Sequence, residues 1–346
     1  MILMDCERMR KPFRGKYTYC HDLAIALARE SLRRTEPLGL YYPSRAGEFL
    51  PEIPKTPWHR YQKWFFRVGR DVKLFHRTTP LSRYYPTNVP LVTTVHDLNF
   101  LRDGSSPSKR REEDRRTRDS IRRAERIITI SEDARRDILD WYGDPLKPID
   151  VIYNGVTPYT GPISRPASVP EREFLFCVCR LTRSKNLQTL PPLLKGNDLF
   201  LVLAGSDMHD GHVEEILDAA AKWGVKDRVI LTGPVPESEK HWYLSHCLAF
   251  VFPSLAEGFG LPVIEAMQYG KPIFSSDRTS LPEVGGDCVF YFNHDFDPDQ
   301  MRQEFELGMA GFAAGRIPVE KMNAHRAKFT WEQAARQYYD LYEQCL

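Results

Sequence analysis

Pro253-Ser254-Leu255-Ala256-Glu257-Gly258-Phe259-Gly260-Leu261-Pro262-Val263-Ile264-Glu265-Ala266-Met267-Gln268-Tyr269-Gly270 is the stretch around which the chain is organised. The apolar run before it, 248–252, reads as a short buried strand. A turn built on Gly258 and Gly260 follows, then Pro262 at a position suited to the start of a helix, and Gly270 where that helix ends. The pattern places Glu257 in a loop facing the helix N-terminus and Glu265 in the first helical turn. Glycine lets backbone N–H groups approach a ligand closely, and a helix N-terminus favours an anion. Two carboxylates beside such a site suit a ligand carrying hydroxyls and phosphate, such as a sugar nucleotide. A plain strand–loop–helix with two solvated glutamates fits the same spacing equally well.

Glu257, seven residues, then Glu265, with Gly-Phe-Gly-Leu-Pro between them, resembles the E-x7-E element of retaining GT-B glycosyltransferases of family 4, the bacterial group 1 enzymes. That resemblance implies an α/β fold of GT-B type: two Rossmann-like domains with parallel, doubly wound sheets facing across a cleft that binds the donor. It implies that Glu265 holds the ribose hydroxyls. Glu257 then binds a hydroxyl of the transferred sugar, assisted by the backbone of Gly258, Phe259, Gly260 and Leu261.

Strand 174–178 leads into Arg180-Leu181-Thr182-Arg183-Ser184-Lys185-Asn186. Two cations five residues apart beyond a strand can clamp phosphate, the guanidinium as a fork and the ammonium as a point charge; surface Arg and Lys are also common without any such role. The run resembles the family's R-x4-K element. By that resemblance Arg180 and Lys185 neutralise the donor pyrophosphate as it leaves, and no metal or other cofactor is required. Strands at 199–204 and 229–231 alternate with helices, which implies a parallel sheet. By the same resemblance Val235, after Thr232-Gly233-Pro234, contacts the nucleobase. Asp295, Asp297 and Asp299 superficially suggest a metal cluster but fall in a Pro-containing loop and read as a solvated turn. His241 and His246 are too far apart for an i,i+4 metal pair.

In the first half, Ile2 to Met4 read as an opening strand, and Arg14-Gly15-Lys16-Tyr17 leads into a helical pattern. The resemblance places Gly15 beside the donor diphosphate; Lys16 faces either donor or acceptor. The run 91–98 is a buried strand ending in His96-Asp97, where an open α/β sheet binds ligands. A histidine satisfied by local backbone is the ordinary alternative. The family's equivalent histidine contacts the donor sugar or its leaving phosphate, which assigns that part to His96. Residues 58–70, wound at 3.6 residues per turn, put Arg60, Lys63, Arg67 and Arg70 on one face, with Trp58, Tyr61, Trp64, Phe65 and Val68 on the other. Such a segment fits either a peripheral contact of 58–77 with an anionic membrane or a core helix with a basic outer side.

Nine Lys or Arg and five Asp or Glu occupy 108–126. The interspersed acids read as a solvated helix laced with i,i+4 pairs and argue against a nucleic-acid arm. Proline-rich 157–172 reads as a connection between an acceptor-binding domain (1–160) and a nucleotide-sugar domain (170–328), while 329–346 is a closing helix that crosses back to the first. Hydrophobic (42%) and charged (27%) fractions and a net charge of +2 are those of a soluble globular chain. Seven scattered cysteines read as free thiols of a reducing cytosol, and no apolar run is long enough to span a bilayer. The expected location is cytoplasmic, including the inner face of the cytoplasmic membrane.

The expected activity is retaining transfer of a hexose from GDP-mannose or a UDP-hexose to a hydroxyl of a glycan or glycolipid, in lipopolysaccharide or surface polysaccharide synthesis. A covalent nucleophile and same-face attack both remain open for the retention. A non-catalytic GT-B binding subunit is the alternative. A Rossmann oxidoreductase lacks its fingerprint, because no G-x-G-x-x-G follows the first strand.

Overall fold

A computed structural model describes residues 1–10, 15–43, 47–207 and 210–346; the side chain of Arg60 and all of Arg14 lie outside the described residues. The chain divides into two units. Met1–Phe100, Ser105–Thr157 and Phe329–Leu346 form the first, and Leu101–Gly104 with Pro158–Lys328 form the second.

The first unit runs β1 (Ile2–Asp5), α1 (Gly15–Ser31), β2 (Leu38–Tyr42), β3 (Lys55–Pro57), β4 (Leu74–Arg77), β5 (Leu91–Val95), α2 (Pro107–Arg123), β6 (Arg126–Thr129), α3 (Glu132–Tyr142) and β7 (Ile149–Val151). Its seven strands are parallel in the order β3-β2-β1-β4-β5-β6-β7. Strands β1, β2, β4 and β5 are buried along their whole length. A parallel sheet covered on both faces requires that, so these strands read as continuous apolar runs with no alternation. Ser131 caps α3 by accepting from the Ala134 N–H at 3.1 Å.

The second unit runs β8 (Phe174–Val178), β9 (Phe200–Ala204), α4 (His212–Lys222), β10 (Val229–Gly233), α5 (Glu237–His246), β11 (Ala249–Phe252), α6 (Leu261–Met267), β12 (Ile273–Ser276), α7 (Leu281–Gly285), β13 (Phe290–Phe292), α8 (Pro298–Ala313) and α9 (Val319–Arg326). Its six strands are also parallel, ordered β10-β9-β8-β11-β12-β13. The order reverses between β8 and β11, leaving a crevice beyond the carboxyl ends of those two strands. The acidic run 295–299 opens α8: Asp297 is its N-cap and accepts from the N–H groups of Asp299 and Gln300 at 3.1 and 3.0 Å.

The final helix, α10 (Trp331–Glu343), packs on α1 of the first unit with Trp331, Ala334, Tyr338 and Leu341 buried. It carries a buried polar relay. The Tyr342 hydroxyl meets His76 Nδ1 at 2.7 Å, and His76 Nε2 meets Thr94 Oγ1 at 2.8 Å. The Tyr19 hydroxyl lies 3.2 Å from Thr94 Oγ1 and 2.7 Å from the Tyr338 hydroxyl. Each group satisfies a neighbour that would be costly to leave unpaired so far from water.

The helix expected over 58–70 does not form. Trp58 continues the sheet, its N–H donating to the Tyr42 carbonyl at 3.1 Å. One 3-10 turn at Arg60–Lys63 follows, closed by Gln62, whose amide oxygen accepts from the His59 N–H (2.6 Å) and the Tyr41 hydroxyl (2.7 Å). Beyond it Phe66 is buried between Tyr41 and Phe75, with ring centroids 4.8 and 5.8 Å away. The Asn88 side chain then takes both backbone groups of Val68, accepting from its N–H at 3.1 Å and donating to its carbonyl at 2.9 Å. A helix needs those groups for itself, so the inward pull of Gln62 and Phe66 and the grip of Asn88 replace it.

Where β8, β9 and β10 end, the Gly205 N–H donates to the Gly233 carbonyl at 2.9 Å. Gly205 has φ +146°, and a Cβ there would lie 1.6 Å from the Cys179 carbonyl oxygen. Backbone, not a movable side chain, blocks the space. Gly205→Ala is therefore expected to destabilise the protein by about 3 kcal/mol or more, seen as a fall in the urea midpoint; an unchanged midpoint would contradict this packing.

Candidate active site

The crevice of the second sheet gathers loops from the two strands that flank it. After β8, Leu181 bridges to Asp207 and a 3-10 turn, Arg183–Lys185, presents Lys185. Asn186 ends that turn at φ +57°, a left-handed position that asparagine tolerates better than most residues. After β11 comes the loop bearing Glu257. The two loops are tied together because the Ser184 carbonyl accepts from the Leu255 N–H at 2.8 Å and the Ser254 hydroxyl at 3.3 Å. The result is a direct ion pair between Lys185 Nζ and Glu257 Oε1, with each side chain only 13–15% exposed. Burial works to lower the Lys185 pKa, but the Glu257 carboxylate more than offsets this and holds it above its ordinary value. Lys185 Nζ also lies 5.6 Å from the centre of the Phe252 ring.

Arg180, just past β8, is exposed; its carbonyl accepts from the Thr182 N–H at 2.9 Å, and its guanidinium has no hydrogen-bond or ion-pair partner among the described residues. The Glu257 backbone is pinned from the far side. Its N–H donates to Thr279 Oγ1 at 3.0 Å, while Ser280 Oγ donates to the carbonyls of Glu257 (3.0 Å) and Phe259 (3.1 Å). Thr279 sits at φ +52°, a conformation that costs a β-branched residue about 1–3 kcal/mol. Nothing in the spacing of the sequence gives Thr279 or Ser280 a role; the strained Thr279 is visible only in the structure.

Gly260, at φ +104°, is the N-cap of α6, and a Cβ there would meet Leu281 Cδ2 at 2.7 Å. Helix α6 starts at Leu261, so Pro262 is its second residue and Glu265 falls in the second turn, one turn later than expected. Both carboxylate oxygens of Glu265 lie 3.3 Å from Lys240 Nζ, which also pairs with Glu237 at 2.7 Å. At seven residues α6 is short. Val235 is half-buried between β10 and α5, next to the sheet edge.

Gly15 and His96 belong to the first unit. Gly15 is the first residue of α1, with open space where a Cβ would stand. Lys16 beside it has its pKa lowered by burial, with the Asp97 carboxylate pulling the other way. His96 is buried just past β5, and its Nε2 lies 2.8 Å from the Thr78 carbonyl oxygen. A carbonyl only accepts, so Nε2 carries the hydrogen and Nδ1 of the neutral ring is an acceptor. The Tyr19 ring packs edge-on against it at 4.5 Å. Burial first, and then the Lys16 charge, lower His96 to about 4. Asp287, Cys288 and His325 of the second unit also bring ligand atoms within 4.8 Å of one another. Asp287 is already paired with Lys321 at 2.6 Å and His325 Nε2 donates to the Val284 carbonyl at 2.8 Å, so these groups already have protein partners.

The histidine environments set a pH dependence. His76, lowered to about 3 by burial, and His96 both titrate near 6.5 when unfolded. As pH falls below about 6.5 the unfolded chain takes up protons that the native state refuses, so native stability declines. Asp5, raised to about 7 mainly by burial, opposes this with one proton against two. The ring NMR signals of both histidines are expected to stay constant between about pH 5 and 8; a His96 midpoint near 6.5 would contradict its neutral, acceptor state.

Residues 18–158 match the family model described as "Glycosyltransferase Family 4", and 163–305 that described as "Glycosyl transferases group 1". The chain is 25% identical over 302 residues to O-antigen chain mannosyltransferase B of Escherichia coli, covering 82% of this chain and 77% of that one. It is 28% identical over 233 residues to the serotype-specific mannosyltransferase WbdA of Escherichia coli. That match covers 62% of this chain but 28% of the relative, so the chain spans only part of that longer protein. Among solved structures, sucrose-phosphate synthase from Thermosynechococcus elongatus aligns with a TM-score of 0.76 and 18% identity over 99% of this chain and 98% of that one. The fold is GT-B. The chain belongs to the group 1, family 4 glycosyltransferases.

Proposed function

We propose that this glycosyltransferase moves a hexose, mannose by preference, from a nucleoside diphosphate sugar to a hydroxyl of a glycan or glycolipid in lipopolysaccharide or surface polysaccharide synthesis. The observation that carries the reading is the Lys185–Glu257 pair at the strand reversal, with exposed Arg180 five residues before Lys185. The similarity to O-antigen and serotype-specific mannosyltransferases supports mannose, and with it GDP-mannose ahead of a UDP-hexose as donor.

In this reading Arg180 and Lys185 receive the diphosphate. The bond between the anomeric carbon and the phosphate oxygen breaks, and its electron pair stays on that oxygen. The two cations stabilise the charge that develops there, the largest electrostatic demand of the step, without recourse to a metal. The acceptor oxygen bonds to the anomeric carbon on the face the phosphate leaves, so configuration is retained, and its proton passes to the departing phosphate. Glu257, freed from Lys185 by the incoming phosphate, accepts from a sugar hydroxyl. Glu265 accepts from the ribose hydroxyls, and Gly258 to Leu261 line that approach. Gly15 and Val235 are assigned to the diphosphate and the base. In the first unit, neutral His96 offers Nδ1 to a sugar hydroxyl.

The test is release of nucleoside diphosphate from GDP-mannose and from UDP-hexoses in the presence of glycan and lipid-linked acceptors. Lys185→Ala and Glu257→Ala are each expected to cut turnover by about 100-fold or more with the fold intact. Unchanged turnover in both would overturn the site.

A further inference from the structure

The segment that fails to become a helix leaves three large aromatic side chains on the outside of the first unit. Tyr61 is 59% exposed, Trp64 77% and Phe65 68%. Aromatic exposure on this scale within five residues is not the scattered apolar surface of an ordinary soluble protein. It is held, not frayed. Gln62 and Phe66 point inward on either side, Gln62 bonded to Tyr41 and Phe66 packed among Leu3, Tyr41, Phe75 and Leu91. Trp64 and Phe65 are fixed by their N–H groups, which donate to the Tyr61 carbonyl at 3.0 and 3.3 Å. Inward anchors at 62 and 66 thus force 61, 64 and 65 outward.

Along 58–77 the charge is predominantly positive. Lys63 Nζ lies 3.7 Å from the centre of the Trp64 ring. Arg67 and Arg70 are exposed and make no ion pair among the described residues. Asp71 is the single acid in 58–77. A protein partner would usually bring hydrogen-bonding backbone or a shaped pocket to such a ridge. Here rigid aromatics with cations at their flanks match the layered chemistry of a lipid surface: rings seat at the headgroup–acyl boundary while Lys and Arg stay with the phosphates.

We propose that the turn 61–65 docks the first unit onto an anionic phospholipid bilayer by inserting Trp64 and Phe65, with Tyr61 at headgroup level and Lys63, Arg67 and Arg70 on the lipid phosphates. This is a loop contact, with a preformed tip in place of a helix lying in the interface. It does not depend on which donor the enzyme uses, so its failure and that of the proposed reaction are separately visible.

The experiment is co-sedimentation of the full chain with vesicles of phosphatidylcholine plus phosphatidylglycerol, and with phosphatidylcholine alone, at low and physiological salt. The wild type is expected to bind the anionic vesicles more tightly. Trp64→Ser with Phe65→Ser is expected to weaken that binding by about tenfold or more. Replacing Lys63, Arg67 and Arg70 with Gln is expected to weaken it by about fivefold per charge at low salt. Trp64, Phe65, Arg67 and Arg70 are exposed and Lys63 is half-buried, and unchanged near-ultraviolet circular dichroism confirms that each variant is folded. Absence of wild-type binding to anionic vesicles, or wild-type binding by the double aromatic variant, would overturn the proposal. So would a dimer seen in analytical ultracentrifugation that the aromatic variant cannot form, since the ridge would then meet a second copy of the chain.

Discussion

Lys185 and Glu257 are 72 residues apart and share one ion pair almost out of reach of water. They meet because β8 and β11 are neighbours in a parallel sheet whose order reverses between them. At any other pair of strands a crossover helix would lie over one of the two ends; at the reversal both loops rise free and face each other. The Ser184 carbonyl, receiving both Leu255 and Ser254, keeps them at that separation. The rest of the second unit, from the crossing at Gly205 to the pins at Thr279 and Ser280, serves to hold this one opening in shape.

Such a pair is a poor staple. Taking two charges from water costs about as much as their attraction returns, and an apolar pair of the same size would hold the loops as well. Its use is better understood as a poised state. A bare ammonium and a bare carboxylate at low exposure would each be costly; paired, each offsets the burial of the other, and on the proposed function the pair opens to a ligand that offers an anion to one and hydroxyls to the other. A nucleoside diphosphate sugar offers both. The first unit applies the opposite device to His96, where burial and a nearby ammonium keep the ring neutral so that it can accept a hydrogen bond.

The sequence was most legible where local chemistry and the fold agree. Strand 248–252, the turn glycines and the closing helix of 329–346 could all be read from apolar spacing and turn residues. It was least legible where a distant side chain decides. Residues 58–70 have a helical wheel, but Asn88 takes the backbone groups of Val68 that a helix needs, and Tyr41 holds the Gln62 side chain inward. Glu265 lies one residue deeper in α6, and so in its second turn, because Gly260 lets the helix begin one residue early. The Lys185–Glu257 pairing itself, the Thr279 strain and the Tyr19–Tyr338 contact join residues far apart in the chain, and no spacing rule reaches them. Motif resemblance supplied the identities of Lys185 and Glu257; only the topology explains why they touch.

The central claim is that the strand reversal of the second unit is the seat of a nucleoside diphosphate. Isothermal titration of GDP and UDP into the wild type, Arg180→Ala and Lys185→Ala tests it without any acceptor or turnover. The account predicts saturable wild-type binding of one of the two nucleotides and a loss of about tenfold or more in each variant, as expected when a charge-assisted phosphate contact is removed. Equal affinity in the wild type and both variants would place the nucleotide elsewhere and contradict the account.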